Sequence, residues 1–353
     1  MLSSCEEALS IGRKVQKSNL VAKRGSLTDS FGRVAAKLRI SVTDRCNFQC
    51  NFCMPVHPVW LPRDEILSFE EIRRLSAIFA KMGISKIRLS GGEPTMRRNV
   101  EKLVRMLVGL PGIESVGMTT NGFQLVDKAA VLRENGLRGV TVSLHTLKAD
   151  RFDEITGTRN NFERVLDGIR RAKEVGLEVK INSVVIKGCN EDEILDLARL
   201  AYEGDITMRF IEFMPFDGKR LWGMDRVFSG EEIIKEISKE YPLSKLSREH
   251  GSTAEVYAFT GGSKGGIGVI TSITAPFCGD CDRVRLKADG KVVPCLFGSE
   301  EFDIRPLLRR GASDAKLEEF IKKSFFQKSS GVETMLKDQV PLMHIRPMHT
   351  IGG

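Results

Sequence analysis

The sequence lacks any apolar run approaching the roughly 20 residues that a membrane-spanning helix needs, which argues against a membrane protein. Its first residues, MLSSCEEALSIGRKVQ, have no hydrophobic signal core, and Glu6 and Glu7 are unlike an organelle transit peptide. Cysteine is scarce: eight in 353 residues cannot staple a disulfide-built secreted scaffold. Internal repeats and low-complexity segments are missing. So is a basic tail: 54 basic and 46 acidic residues give +8, but the signs are interleaved, as in RDEILSFEEIRR. That pattern describes a solvated mixed surface and gives no reason to expect nucleic-acid binding. What remains is a soluble, cytoplasmic chain, long enough to bury a core as two domains or one large α/β domain.

From KLRISV onward, short β-rich runs alternate with segments of helical period. Strands are expected at 37–42, 85–90, 115–119, 138–144, 177–186 and 207–213. Between the first two, Ser68 and Glu71 have capping-box spacing, and Ile72, Leu75, Ile78, Phe79 and Met82 mark one helix face. NNFERVLDGIRRAKEVG repeats the pattern and stops at Gly176, a C-cap residue. Six alternations imply parallel strands with crossover helices, hence an incomplete (βα)6 TIM-type barrel, with a doubly wound sheet as the competitor. The alternation fades near residue 217, and GGSKGG at 261–266 is expected to be a hairpin or loop. The division is a 1–36 extension without a readable motif, a 37–216 barrel and a 217–353 C-terminal region.

Six cysteines fall into two trios. Cys46, Cys50 and Cys53 are spaced C-x3-C-x2-C at the exit of the first strand, and Cys278, Cys281 and Cys295 are spaced C-x2-C-x13-C. Thiols so crowded point to metal ligation. Structural zinc is one option for each, although His57 is the only nearby fourth ligand for the first trio. Iron–sulfur clusters are the other, since closely spaced thiolates build them. Cys5 and Cys189 stand alone.

Four basic residues, Arg39, Arg88, Lys180 and Arg209, lie inside expected strands, where an inward lone charge is costly. One shared anionic ligand explains them better than four separate ion pairs. Arg283 and Arg285 would point the same way from a strand, and a pair of guanidiniums suits phosphate or a purine edge.

The C-x3-C-x-aromatic-C run, with Phe52 before Cys53, resembles the signature of radical S-adenosylmethionine (SAM) enzymes. With IRLSGGEPTMRR, TTNG, VKINSVVIKG, RFIEFMP, FCGDCDRVRL and the terminal IGG, the chain from about Arg39 to Gly353 resembles the GTP 3′,8-cyclase family. The resemblance implies a [4Fe-4S] cluster on the first trio and a second on the other, with SAM contacted by Phe52, Gly92, Ser143 and Met214. It implies GTP contacts at Arg39, Arg88, Thr119, Lys180 and Arg209. Arg283 and Arg285, with a Gly352–Gly353 tail reaching toward the reaction, complete the implied active site. GTP would become 3′,8-cyclo-7,8-dihydroguanosine 5′-triphosphate, the first step of molybdenum cofactor biosynthesis. An electron donor and a downstream cyclic pyranopterin monophosphate synthase are the implied partners, and oligomeric state is left open, a homodimer included. His145 stands where many family members carry Asp. A peptide-modifying radical SAM enzyme and a zinc-stabilised nucleic-acid binder are the alternatives.

Overall fold

The computed structural model describes residues 25–216, 219, 221–332, 335 and 346–352, so that Cys5 and Gly353 lie outside the described residues. Six strands lie side by side in chain order, all parallel: β1 (Lys37–Ser41), β2 (Lys86–Ser90), β3 (Ser115–Thr120), β4 (Gly139–Ser143), β5 (Glu178–Val185) and β6 (Thr207–Glu212). The order never reverses, as it would in a doubly wound sheet, and the result is the expected open barrel.

The crossover helices are α1 (Phe69–Lys81), α2 (Val100–Val108), α3 (Leu125–Glu134), α4 (Ala149–Thr156), α5 (Phe162–Glu174) and α6 (Ile194–Glu203). On α1 the Ser68 hydroxyl accepts the Glu71 N–H at 3.1 Å, and the Glu71 carboxylate accepts the Ser68 N–H at 2.7 Å. This is the expected capping box, and Ile72, Leu75, Ile78 and Phe79 are buried below it. Helix α5 ends just before Gly176, whose φ of +80° suits glycine.

The C-terminal region does more than follow the barrel. It supplies β7 (Leu243–Lys245), β8 (Glu255–Phe259), β9 (Gly266–Ile270), β10 (Arg283–Leu286), β11 (Lys291–Val293) and β12 (Phe302–Asp303). Strand β9 adds in parallel to β6, and β10 adds in parallel to β1 at the opposite edge. The remaining strands pair antiparallel outside them. GGSKGG is the β8–β9 hairpin connection, as expected. Helix α7 (Gly230–Ile237) lies between β6 and β7, and the short α8 (Arg305–Arg309) follows β12. Strand β9 is reached through α7 and the β7–β8 hairpin, and β10 through loops, so no simple strand–helix alternation announces them.

Residues 25–36 form a small loop closed by a Thr28–Val34 bridge, with Leu27 and Ala35 fully buried. Behind the barrel, α5 packs on the entry to α3 through Gly168, where a Cβ would stand 2.4 Å from the Gly122 carbonyl oxygen. Gly168→Ala is therefore expected to destabilise the fold by about 1–3 kcal/mol through overpacking. The check is a lowered thermal unfolding midpoint of the metal-free protein; an unchanged midpoint would mean that α5 can move away at no cost.

Candidate active site

The first cysteine loop leaves β1 and is held by the segment after β2. Gly92 N–H donates to the Thr43 carbonyl and Glu93 N–H to the Arg45 carbonyl, both at 2.8 Å. A Cβ on Gly91 would lie 2.4 Å from the Thr43 oxygen, and one on Gly92 2.3 Å from the Arg45 oxygen. The tightest approach of the diglycine is to the chain's own cysteine loop. The buried Glu93 carboxylate accepts from the Thr95 N–H and hydroxyl, the Thr120 hydroxyl and the Asn121 N–H, at 3.0, 2.6, 2.8 and 2.6 Å. Burial raises its pKa, and these four donors oppose that rise.

Burial, and then the Glu93 charge, pushes the Cys46 thiol up to about 12. Burial, and then Cys46, does the same to Cys53, also to about 12. Burial also raises Cys50 well above its ordinary value, with Cys53 and Cys46 adding to it. Three thiols in this setting become ligands only when a cationic group offsets the charge they acquire.

Cys278 sits on a 3-10 turn (Cys278–Asp280) just before β10, and Cys295 follows β11. The Val332 N–H reaches Cys278, and a Cβ on Gly331 would be 2.3 Å from its sulfur. Arg33 clamps the surrounding backbone. Its Nη1 donates to the carbonyls of Cys278 at 2.9 Å and Ser330 at 3.1 Å, and its Nη2 to Ser329 at 2.6 Å. Asp29 accepts from the Arg33 Nε at 2.5 Å. Burial alone would raise the Cys281 thiol, but Arg283 and Lys328 pull it down to about 7.

All six of these cysteines line one cavity of about 280 Å³, at the C-terminal ends of the parallel strands. Phe52, Gly92, Ser143 and Met214 also line it, as do Arg39, Arg88, Thr119, Arg209, Arg283 and Arg285. Arg285, Arg39 and Arg88 occupy matching positions on β10, β1 and β2. Burial lowers the Arg39 pKa well below its ordinary value, with Arg285, Arg283, Arg88 and Arg209 adding repulsion. Burial and then Arg88 lower Arg209 to about 9; burial and then Arg283 lower Arg285 to about 10. Thr141 Oγ1 accepts from both Arg88 and Arg209 at 3.0 Å. Among the described residues, none of Arg39, Arg88, Arg209 and Arg285 has a carboxylate partner.

Lys180 is the predicted contact that the cavity wall leaves out. It is exposed on β5, although burial of its stem and then Arg209 and Arg88 lower its pKa. At the other end of the chain, Gly352 is buried and its carbonyl accepts from Arg285 Nη1 at 2.6 Å. A Cβ there would lie 2.6 Å from Ser41 Oγ, at the end of β1. The His349 N–H reaches the Cys53 sulfur, so the segment 349–352 touches both the first trio and the arginine row. His145 is buried, and its Nδ1 accepts the Val184 N–H at 3.0 Å. Burial lowers its pKa to about 4, so a neutral ring meets Phe52 edge-on at 4.7 Å. Arg33, Lys328 and Gly331 were missed from sequence. Arg33 lies in a stretch without a motif, and nothing in spacing marks the other two.

Residues 40–201 match the Radical SAM superfamily, and residues 206–334 match Molybdenum Cofactor Synthesis C. The chain is 43% identical over 334 residues to the GTP 3′,8-cyclase of Rhodopirellula baltica, covering 93% of this chain and 92% of that one. It is 40% identical to the mitochondrial GTP 3′,8-cyclase of Arabidopsis thaliana, covering 93% and 83%. The chain belongs to the GTP 3′,8-cyclase family.

It is also 43% identical to molybdenum cofactor biosynthesis protein 1 of Drosophila melanogaster, spanning 83% of this chain and only 52% of that longer one. A crystal structure of Streptococcus suis SuiB bound to S-adenosylmethionine shares the fold, with a TM-score of 0.57 at 17% identity over 89% of this chain and 73% of that one. Membership in this family implies a [4Fe-4S] cluster and SAM. The donor set fits: three half-buried thiols of the first trio line the shared cavity. Among the described residues no three His, Cys, Asp or Glu side chains close on a single ion. None of the described helices is long and apolar enough to cross a membrane.

Gly92→Ala is expected to displace the Arg45 carbonyl and lower cluster assembly on the first trio. Iron and sulfide content after anaerobic reconstitution checks this, and parent-level content would show that the loop tolerates the added carbon.

Proposed function

We propose that this protein is a radical SAM enzyme that converts GTP to 3′,8-cyclo-7,8-dihydroguanosine 5′-triphosphate, the first step of molybdenum cofactor biosynthesis. The observation that carries the proposal is the row of inward arginines without carboxylate partners among the described residues, set between two cysteine trios in one cavity. A polyanion of nucleotide size matches that charge, because phosphate accepts paired guanidinium hydrogen bonds and supplies the counter-charge the barrel lacks.

Cys46, Cys50 and Cys53 hold the [4Fe-4S] cluster, with Phe52, Gly92, Ser143 and Met214 around SAM. When bound, that pair supplies the one-electron cleavage of SAM that yields a 5′-deoxyadenosyl radical. Arg39, Arg88, Arg209 and Thr119 fix the triphosphate and ribose so that the C3′ hydrogen faces the radical and C3′ can then bond to C8. Lys180 adds positive charge from the rim. Cys278, Cys281 and Cys295 hold a second [4Fe-4S] cluster, and Arg283 and Arg285 place the purine and phosphates beside it. The segment ending at Gly352 and Gly353 orients Arg285 through the Gly352 carbonyl. The enzyme works in the cytoplasm with an electron donor and passes its product to a cyclic pyranopterin monophosphate synthase; a homodimer is compatible with this scheme.

Anaerobic turnover with GTP, SAM and reductant should yield 5′-deoxyadenosine and the cyclised nucleotide; 5′-deoxyadenosine without a cyclised nucleotide would refute the substrate assignment. Cys50→Ala should abolish both products. Cys281→Ala should keep SAM cleavage and lose cyclisation, and retained cyclisation would remove the second cluster from the scheme.

Replacing Arg283 and Arg285 together by Ala should weaken GTP binding roughly tenfold or more, at about 1.5–3 kcal/mol for each lost charge-assisted bond. Equilibrium binding on protein of verified iron content measures it. Unchanged affinity would mean that neither guanidinium touches the nucleotide.

A further inference from the structure

Cys281 is held unlike the cysteines of the first trio. Its sulfur lies 3.2 Å from Arg283 Nη2 and 3.4 Å from Lys328 Nζ. Lys328 follows α9 (Asp314–Phe326) and is only 2% exposed. Its ammonium also donates to the carbonyls of Cys281 at 3.0 Å and Arg283 at 2.8 Å, which with the sulfur uses all three of its N–H groups. It stands 4.9 Å from the Phe325 ring centroid. The nearby Asp29 is engaged by Arg33. A buried ammonium is costly without a negative partner, and the Cys281 thiolate, within hydrogen-bond reach, can supply one.

No cation hydrogen-bonds to the first trio among the described residues. Cys46 receives the Phe48 N–H at 3.4 Å and the Asn121 amide at 3.9 Å, while the buried Glu93 lies close enough to oppose its ionisation. The two trios therefore present opposite electrostatic environments to whatever they bind.

We propose that Lys328 is a positioning residue for the second cluster. It fixes the Cys281 loop through two carbonyls, and its charge, delivered to a ligand sulfur, makes the second cluster easier to reduce than the first. The physical basis is general: reduction adds negative charge, and hydrogen bonds from buried cations to ligand sulfurs favour the reduced state. The inference rests on the second-cluster assignment made above.

The test is a redox titration of anaerobically reconstituted protein, followed by electron paramagnetic resonance, for the parent, Lys328→Met and Lys328→Arg. The parent should hold two four-iron clusters per chain, the second with the higher midpoint. In Lys328→Met the second midpoint should fall by at least about 59 mV, a tenfold change in the oxidised-to-reduced ratio for one electron. The first midpoint, and its spectral response to SAM, should not move. Lys328→Arg, which keeps the cation, should restore the parent value. An unchanged second midpoint in Lys328→Met, or an equal shift of both clusters, overturns the role of Lys328 while leaving the two-cluster assignment standing. If Lys328→Met does not retain the second cluster, Lys328→Arg decides: retention at the parent midpoint supports the role, and loss there too overturns it. Only one cluster in the parent would remove the second-cluster assignment itself, before any variant is compared.

Discussion

Mutual repulsion among Arg285, Arg39 and Arg88, abreast on three neighbouring strands, is the constraint around which the barrel interior is arranged. Like charges directly opposite one another weaken a sheet, and burial makes the repulsion harder to screen. Among the described residues they are accommodated by space and hydrogen bonding, without carboxylates. Gly117, at the next position in that row, leaves room for the Arg88 guanidinium 3.4 Å from where a Cβ would stand. Gly268 on β9 does the same for Arg209, whose Cγ would be 2.9 Å from an added Cβ. Thr141 then shares one hydroxyl between Arg88 and Arg209. Stability must come from the apolar layer between sheet and helices, which leaves the interior free to stay cationic until an anion enters.

Two buried carboxylates, Glu93 and Glu212, are spent on backbone N–H groups and threonine hydroxyls. Glu93 ties the loop after β2 to the end of β3. Glu212 accepts the Gly230, Ile273 and Thr274 N–H groups at 2.9, 2.8 and 2.9 Å, fixing the loop after β9. Glu93 and Glu212 thus each hold a loop at the C-terminal rim, while Arg39, Arg88, Arg209 and Arg285 line the cavity. This division of labour keeps the cysteine loops rigid while the cavity retains a net demand for anions.

Segments distant in sequence complete the site. Arg33, before the first barrel strand, secures the backbone around Cys278, and the segment 349–352 inserts between the Cys53 loop and Arg285. An ion pair of Arg346 with Glu301 at 2.7 Å anchors the start of that segment, so its glycine reaches the interior from a fixed point.

Local chemistry wrote much of this into the sequence. The six barrel strands follow from β-rich runs alternating with helical period, because each element buries one face and must repeat every 2 or 3.6 residues. The two cysteine trios and the R-x-R pair are legible for the same reason: ligand spacing and strand period are local properties. The tertiary structure decided what depends on distant contacts. Strands β9 and β10 join the parallel sheet through a helix plus hairpin and through loops, so no simple strand–helix alternation announces them. Lys180 stays exposed and outside the cavity wall although the register of β5 puts it on the inward face with Asn182, beside Thr141. Gly91 and Gly92 are required by backbone approaching backbone, and Lys328 becomes part of the second trio only because the turn after α9 places an ammonium against Cys281. Such contacts join residues far apart along the chain, and no periodicity of one segment can encode where another segment will arrive.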